Sequence, residues 1–331
     1  MIRALALKKR LPLELFSSRI VPVGLAFVFL LSGFSIQCGH ASHQKNKKGH
    51  ERRVVRGNAP CLAWVSPDLP VKAVILCVHG LGLHNGSYEA FGKQMSKRGF
   101  AVYAIDVRGF GSWMEAQGRE KGDFASCLED VRATLKVVRR AHLDKAVFLL
   151  GESMGGAIVL KVTASSPALV DGLISSVSAA DRYKQTKPNL KVALHLLNDP
   201  DKPINVGAAV IKQATQKADL RQAWLNDPLA RLNLSERELW QFDKFMKGNK
   251  KSARKIRDKP VLIVQGSRDK LVKPEGTVDI YNELTAKDKK IVLIPNGEHL
   301  IFEEAQFGDG EKEIIEIVAS GLDNHLERKT E

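Results

Sequence analysis

Residues 151–156 read Gly-Glu-Ser-Met-Gly-Gly, a serine with a glycine two positions to either side. Small residues at 151 and 155 let a strand and the helix after it approach closely. The tight turn between them takes a strained backbone that pushes the Ser153 hydroxyl into the open. A serine hydroxyl is a weak nucleophile until a base removes its proton, so a histidine held by a carboxylate should follow later in the chain. Of the nine histidines, His40, His43, His50, His79 and His84 precede the serine, and His142 and His195 fall within helical segments. His299, in "IPNGEHLIF", lies in a loop just beyond the last apolar run. Asp269, in "VQGSRDKLV", follows the run before it and so comes out at the same edge, whereas Asp258 precedes that run and belongs to the opposite end. A hydroxyl, an imidazole and a carboxylate in series catalyse acyl transfer through a serine ester.

That reaction develops an oxyanion, which needs backbone N–H donors already aimed at it. One is expected from Met154, the residue after the nucleophile. The other is expected from Leu81 in "HGLG" (79–82), where Gly80 and Gly82 let the main chain approach a ligand. His79 is expected to support that loop rather than to react.

These residues need a scaffold that brings distant loops to one rim. From about residue 57, short apolar runs alternate with helical stretches: "CLAWV" (61–65), "KAVILCV" (72–78), "AVYAI" (101–105), "KAVFLL" (145–150), "GLISSVS" (172–178), "PVLIVQ" (260–265) and "KKIVLIP" (289–295). Helices are expected around 88–98, 124–141, 154–165, 275–286 and 310–327. Continuous apolar strands are buried on both faces, so the pattern predicts an α/β fold with a mostly parallel sheet covered by helices on both sides. On it, "GESMGG" occupies a strand-to-helix turn at the carboxyl end of a central strand. The order Ser153, Asp269, His299 is that of the α/β-hydrolase fold. Residues 57–180 and 259–331 form the two parts of this core. Residues 181–258 break the rhythm and read as a helical insertion over one edge of the sheet.

The chain has 331 residues and a formal charge of +14, which raises the question of nucleic acid. The excess is local: residues 1–56 hold eleven Lys/Arg against Glu14 and Glu51, and residues 244–259 hold eight against Asp258. The remainder is close to neutral, and few aromatics interleave the basic residues, which argues against nucleic-acid binding. The first basic region surrounds the uncharged stretch 20–36, "IVPVGLAFVFLLSGFSI", so residues 1–38 are expected to be a signal peptide or membrane anchor, with Cys38 a minor candidate for lipidation. Residues 39–56 read as a polar basic linker that would lie near anionic headgroups. Cys61, Cys77 and Cys127 show no paired spacing, and neither a metal site nor a disulfide framework is expected.

The segments "HGLGLHNGSY", "AVYAIDVRGFGSW", "GESMGG", "QGSRDKLV" and "NGEH" together resemble the monoacylglycerol lipase and lysophospholipase branch of the serine α/β-hydrolases, over about residues 57–327. Members of that branch commonly carry a histidine where Phe110 stands in "RGFGS", and the turn after it is altered here to "WMEAQGR". The resemblance implies Ser153 as nucleophile, Asp269 as acid, His299 as base, Leu81 and Met154 as oxyanion donors, and residues 181–258 as a cap. "VALHLL", "VGAAVI" and "LWQF" are candidates for its apolar inner face. It further implies a carboxylester hydrolase acting on a single-chain lipid ester at a membrane surface, with no cofactor and no obligatory protein partner. The alternatives are an acyltransferase, thioesterase or small-ester esterase with the same triad, and a ligand-binding protein that has kept the fold.

Overall fold

Side chains alternate across each strand, and in Ala73–Val78 the consequence is plain: Ala73, Ile75 and Cys77 enter one apolar cluster while Val74, Leu76 and Val78 enter another. A strand buried in that way must be covered on both faces. The structure is a computed structural model that describes residues 59–116, 121–183, 199–304 and 310–328. The leader at 20–36, Cys38, the linker at 39–56, His195 and "VALHLL" lie outside the described residues.

The strands are β1 (Cys61–Trp64), β2 (Ala73–Val78), β3 (Phe100–Ile105), β4 (Ala146–Glu152), β5 (Gly172–Ser176), β6 (Ile204–Asn205), β7 (Asn233–Leu234), β8 (Val261–Gly266) and β9 (Lys289–Ile294). The described helices are α1 (Glu89–Ser96), α2 (Phe124–Ala141), α3 (Met154–Ser165), α4 (Gly207–Ala214), α5 (Ala218–Leu225), α6 (Glu236–Met246), α7 (Asn249–Ala253), α8 (Pro274–Glu283), α9 (Ile301–Glu304) and α10 (Gly310–Glu327). The sheet order is β1-β3-β2-β4-β5-β8-β9, with β1 antiparallel to β3 and the other pairs parallel. Apolar residues of α2, α3, α7 and α8 share the cluster of Val74, Leu76 and Val78, while those of α1, α9 and α10 share the cluster of Ala73, Ile75 and Cys77.

The chain runs from β2 outward to β3 and then returns to place β4 on the other side of β2. Strand order reverses between β2 and β4, and a crevice opens at their carboxyl ends. The loop after β2 and the turn after β4 are therefore neighbours: a Cβ built on Gly80 would stand 3.6 Å from that of Ser153.

Between β5 and β8 the chain leaves the sheet. The two-residue antiparallel pairing of β6 with β7 closes a lobe that carries α4 and α5, and α6 follows it. Phe245 of α6 stacks on Phe124 at the start of α2, 4.3 Å between centroids, and Lys161 of α3 donates to the Phe245 carbonyl at 2.8 Å. Helix α7, inside the insertion by number, packs with α3 and α8 in the helix layer over the sheet, and Asn249 donates to the Ser178 carbonyl at 2.6 Å. Three of the eight basic residues at 244–259 are met by acids: Lys247 pairs with Asp243 and Lys250 with Asp279, both at 2.7 Å, and Arg254 with Glu283.

Candidate active site

Strand β4 ends at Glu152, and Ser153 turns the chain at φ +53°, ψ −112° before α3 begins at Met154. A positive φ on a residue with a Cβ is strained, and here it is held by the surrounding backbone. The Ser153 amide donates to the Ser176 carbonyl at 2.9 Å. A Cβ on Gly155 would stand 1.9 Å from the Val78 carbonyl oxygen, and one on Gly151 would stand 2.3 Å from the Gly155 carbonyl oxygen. Both positions therefore exclude a side chain, and Gly155 does so because it abuts the neighbouring strand β2.

Asp269 and His299 arrive from loops after β8 and β9. His299 Nδ1 lies 2.8 Å from Asp269 Oδ2, and His299 Nε2 lies 3.0 Å from Ser153 Oγ. Burial alone would raise the Asp269 pKa. The charge and hydrogen bond of His299, with the Leu271 and Val272 amides donating to Oδ1 at 2.8 and 2.9 Å, outweigh it and hold the carboxyl below its ordinary range. An ionised carboxylate only accepts, so Nδ1 carries the proton and Nε2 is left to accept from the Ser153 hydroxyl. The two loops are clasped: a Cβ on Gly266 would stand 2.2 Å from the Glu298 carbonyl oxygen.

The Met154 amide opens α3 and has no acceptor within the helix. Leu81 flanks the opposite side of the crevice, after β2, in a turn closed by the Leu83 amide donating to the Gly80 carbonyl at 3.2 Å. His79 Nδ1 donates to the Gly80 carbonyl at 2.8 Å and Nε2 accepts from the Val107 amide at 2.8 Å. Full burial is the main cause of its pKa falling to about 4, so it stays neutral and ties the "HGLG" loop to the loop after β3. Phe110 packs edge-on against His79 at 6.0 Å and lies outside the cavity lining.

The cap closes on this rim. Gly82, at φ +81°, takes a conformation that favours glycine, and its carbonyl accepts from the Arg231 amide at 2.9 Å and the Trp224 indole at 3.3 Å. The His299 amide donates to the Ala214 carbonyl at the end of α4, at 3.1 Å. Between cap and rim lies a cavity of about 270 Å³. Leu81, Leu83, Val206, Val210, Trp224, Leu239, Phe242, Leu271, Val272 and Leu300 supply its apolar walls, and Ser153, His299, Glu152 and Arg182 supply its polar groups. Of "VGAAVI", Val206 and Val210 face this space while Ile211 is packed under the cap; of "LWQF", Leu239 and Phe242 face it while Trp240 is exposed.

Several of these contributors escaped the sequence reading. Glu152 is fully buried and its Oε2 accepts from the Ile301 and Phe302 amides at 3.1 and 3.3 Å, so it joins the strand before Ser153 to the helix after His299. Burial first, then repulsion from the buried Glu303 carboxyl, raises its pKa well above the carboxylate range. A carboxyl closing an apolar strand was a visible signal. Arg182, Trp224 and Arg231 gave none, because nothing in their local sequence points toward the rim.

Residues 70–306 match the Hydrolase_4 family, described as serine aminopeptidase, S33. The chain is 22% identical over 263 residues to the monoacylglycerol lipase of Mycolicibacterium smegmatis, 79% of this chain and 91% of that one. It is 27% identical over 245 residues to phospholipase YtpA of Bacillus subtilis, covering 73% of this chain and 93% of that one. Among solved structures, a soluble variant of the Saccharomyces cerevisiae monoglyceride lipase, bound to a substrate analogue, superposes with a TM-score of 0.70 at 23% identity, over 80% of this chain and 91% of that one. At that identity the superposition speaks for the fold.

Proposed function

Because this chain belongs to the Hydrolase_4 family of serine α/β-hydrolases, we propose that it hydrolyses single-chain lipid esters, of the monoacylglycerol or lysophospholipid kind, through an acyl-enzyme. The observation that carries the proposal is the Ser153–His299–Asp269 relay opening into an apolar cavity of about 270 Å³. That volume is near the lower end of ligand cavities, roughly 300–1,000 Å³, and suits one acyl chain.

In this mechanism Ser153 Oγ attacks the ester carbonyl as its proton passes to His299 Nε2. The carbonyl oxygen becomes an oxyanion that the Leu81 and Met154 amides stabilise. Collapse breaks the bond to the alcohol, which leaves with the proton from His299. A water then gives its proton to His299 and attacks the acyl-serine; return of that proton to Ser153 Oγ releases the fatty acid. Asp269 balances the imidazolium that forms twice in each cycle.

The family description names a peptidase, and the same relay cleaves amides. An aminopeptidase site would need an anionic acceptor for the substrate's ammonium group. Of the two other charged groups lining the cavity, Arg182 is a cation and Glu152 is held toward its neutral form. That balance favours an ester. The relatives' names, two lipases and a phospholipase, favour the same choice.

A lipid surface is the proposed source of substrate. On α6, Trp240 is 62% exposed with Lys244 Nζ 5.2 Å from its ring centroid, a pairing suited to the interface between headgroups and acyl chains. A fluorophosphonate probe should label the protein at Ser153 and fail to label Ser153→Ala, whose turnover of lipid esters should fall by about four to six orders of magnitude. Labelling that persists in the variant would remove the assignment.

A further inference from the structure

Several of the less exposed arginines among the described residues are paired with acids. Arg108 forms a two-pronged contact with Asp130 at 2.7 and 2.9 Å, Arg139 meets Asp171 at 2.7 Å, and Arg231 meets Glu238 at 2.8 Å. Arg182 differs. It stands where the chain leaves β5 for the cap, its backbone fixed by a single antiparallel bridge to Val272. Its guanidinium lies over the Phe242 ring, Cζ 4.3 Å from the centroid, and the residue lines the cavity beside Ser153 and His299. No acceptor among the described residues takes a hydrogen bond from its side chain. Asp243, the carboxylate whose charge it feels, is engaged at 2.7 Å by Lys247. Burial accordingly lowers the Arg182 pKa below the ordinary arginine value.

A half-buried guanidinium whose N–H groups meet no protein acceptor gains from an anion that reaches it, and the planar fork fits a phosphate or carboxylate with two parallel bonds. Phe242 stacks against one face of that fork. Other charges in the cavity do not compete: Glu152 is held toward neutrality with Glu303, and Asp269 is committed to His299. An anion recruited here would share the cavity with the ester under attack. It therefore belongs to the same substrate molecule, and the alcohol half of a lysophospholipid carries one.

We propose that Arg182 is the phosphate subsite of this enzyme, so that it prefers single-chain esters whose glycerol bears a phosphate over neutral monoacylglycerols. The preference rests on the ester-hydrolase reading above and narrows its substrate class. Phosphate, with a charge near −1.5 to −2, answers the fork better than a fatty-acid carboxylate, which would be a product retained at the site.

The test compares octanoyl glycerol with octanoyl glycerol 3-phosphate, both below their micelle concentrations, on the full chain and on Arg182→Gln and Arg182→Lys. The wild type should favour the phosphorylated ester in kcat/KM. Arg182→Gln should lower that ratio by about ten- to a hundredfold, the range of a hydrogen bond to a charged group, mainly through KM, and Arg182→Lys should restore part of it. A ratio unmoved by Arg182→Gln, or equal losses on both esters, would overturn the subsite. Calorimetric binding of the matching non-hydrolysable ethers needs no turnover. Should neither ester be cleaved, the hydrolase reading fails, while tighter binding of the phosphorylated ether that is lost in Arg182→Gln still supports the subsite and equal binding of the two ethers still rejects it. Octanoate binding more tightly than the phosphorylated ether, in an Arg182-dependent way, would reject phosphate in favour of product carboxylate.

Discussion

At the rim of the sheet, Ser153, Asp269 and His299 are positioned by main-chain contacts. Ser153 bonds to Ser176, two amides hold Asp269, and glycines at 151, 155 and 266 allow backbones to touch. Across the cavity, side chains join the main-chain contacts of the cap: beside the Arg231 amide on Gly82 and the His299 amide on Ala214, the Arg231 side chain reaches the Gly109 carbonyl, Trp224 reaches Gly82 and His84 meets Asp227, while within the cap Arg231 pairs with Glu238. Main-chain contacts leave few alternative arrangements, whereas side-chain latches can be exchanged one at a time. On the proposed function, the rim would carry the chemistry and the cap wall the choice of substrate.

The largest test of that division is Asp269→Asn. The amide keeps the shape but removes the charge that stabilises the imidazolium, and turnover should fall by about 10⁴-fold with little change in cap geometry. A loss below tenfold would mean that the rim is not organised as described. Arg231→Met should act the other way, leaving the half-buried Glu238 without its cation and costing about 1–2 kcal/mol in urea unfolding, with a smaller effect on kcat. The double variant Arg231→Met/Glu238→Gln should recover part of the loss. Equal penalties in the single and double variants would show that the latch is not a unit.

The contacts between rim and cap also titrate. Burial raises the Glu304 pKa to about 7, with Thr215 and Lys217 opposing the shift. In the unfolded chain this carboxyl ionises near pH 4.3, so the folded state keeps a proton that the unfolded state releases. Stability from that proton is full below about pH 4.3 and is lost as pH rises through 7. Glu304→Gln should therefore gain about 1–2 kcal/mol over wild type at pH 8 and little at pH 4, read by thermal melts across the range. An advantage independent of pH would point to packing instead. The smallest effect is expected at the outer face of the cap, where Trp240→Ala should weaken binding to anionic vesicles three- to tenfold, about 1 kcal/mol, without altering hydrolysis of a soluble ester. Unchanged partitioning would remove Trp240 as a foothold.

The sequence located the sheet well because apolar runs and helical periodicity are local signals. The helix expected at 124–141 spans Phe124–Ala141, and the one expected at 154–165 spans Met154–Ser165. Ends were less legible. The run read as 145–150 continues as strand through Glu152, because the turn tightens only at Ser153. Within the insertion, the same apolar letters served two purposes: Val206 and Val210 line the cavity while Ile211 packs beneath the cap, and the period alone does not separate them.

What the sequence determined by itself was the order of the parts: a serine between glycines behind an apolar run, an acid and a histidine after later runs, and glycines where backbones must meet. Each depends on the conformational preferences of a few adjacent residues. The tertiary structure alone decided which side chains face one another. It set Glu152 against Glu303, Arg231 against Glu238, and placed Arg182 over Phe242 at the cavity wall. Those meetings span tens of residues and are fixed by how the cap settles on the sheet, so no local pattern in the chain records them.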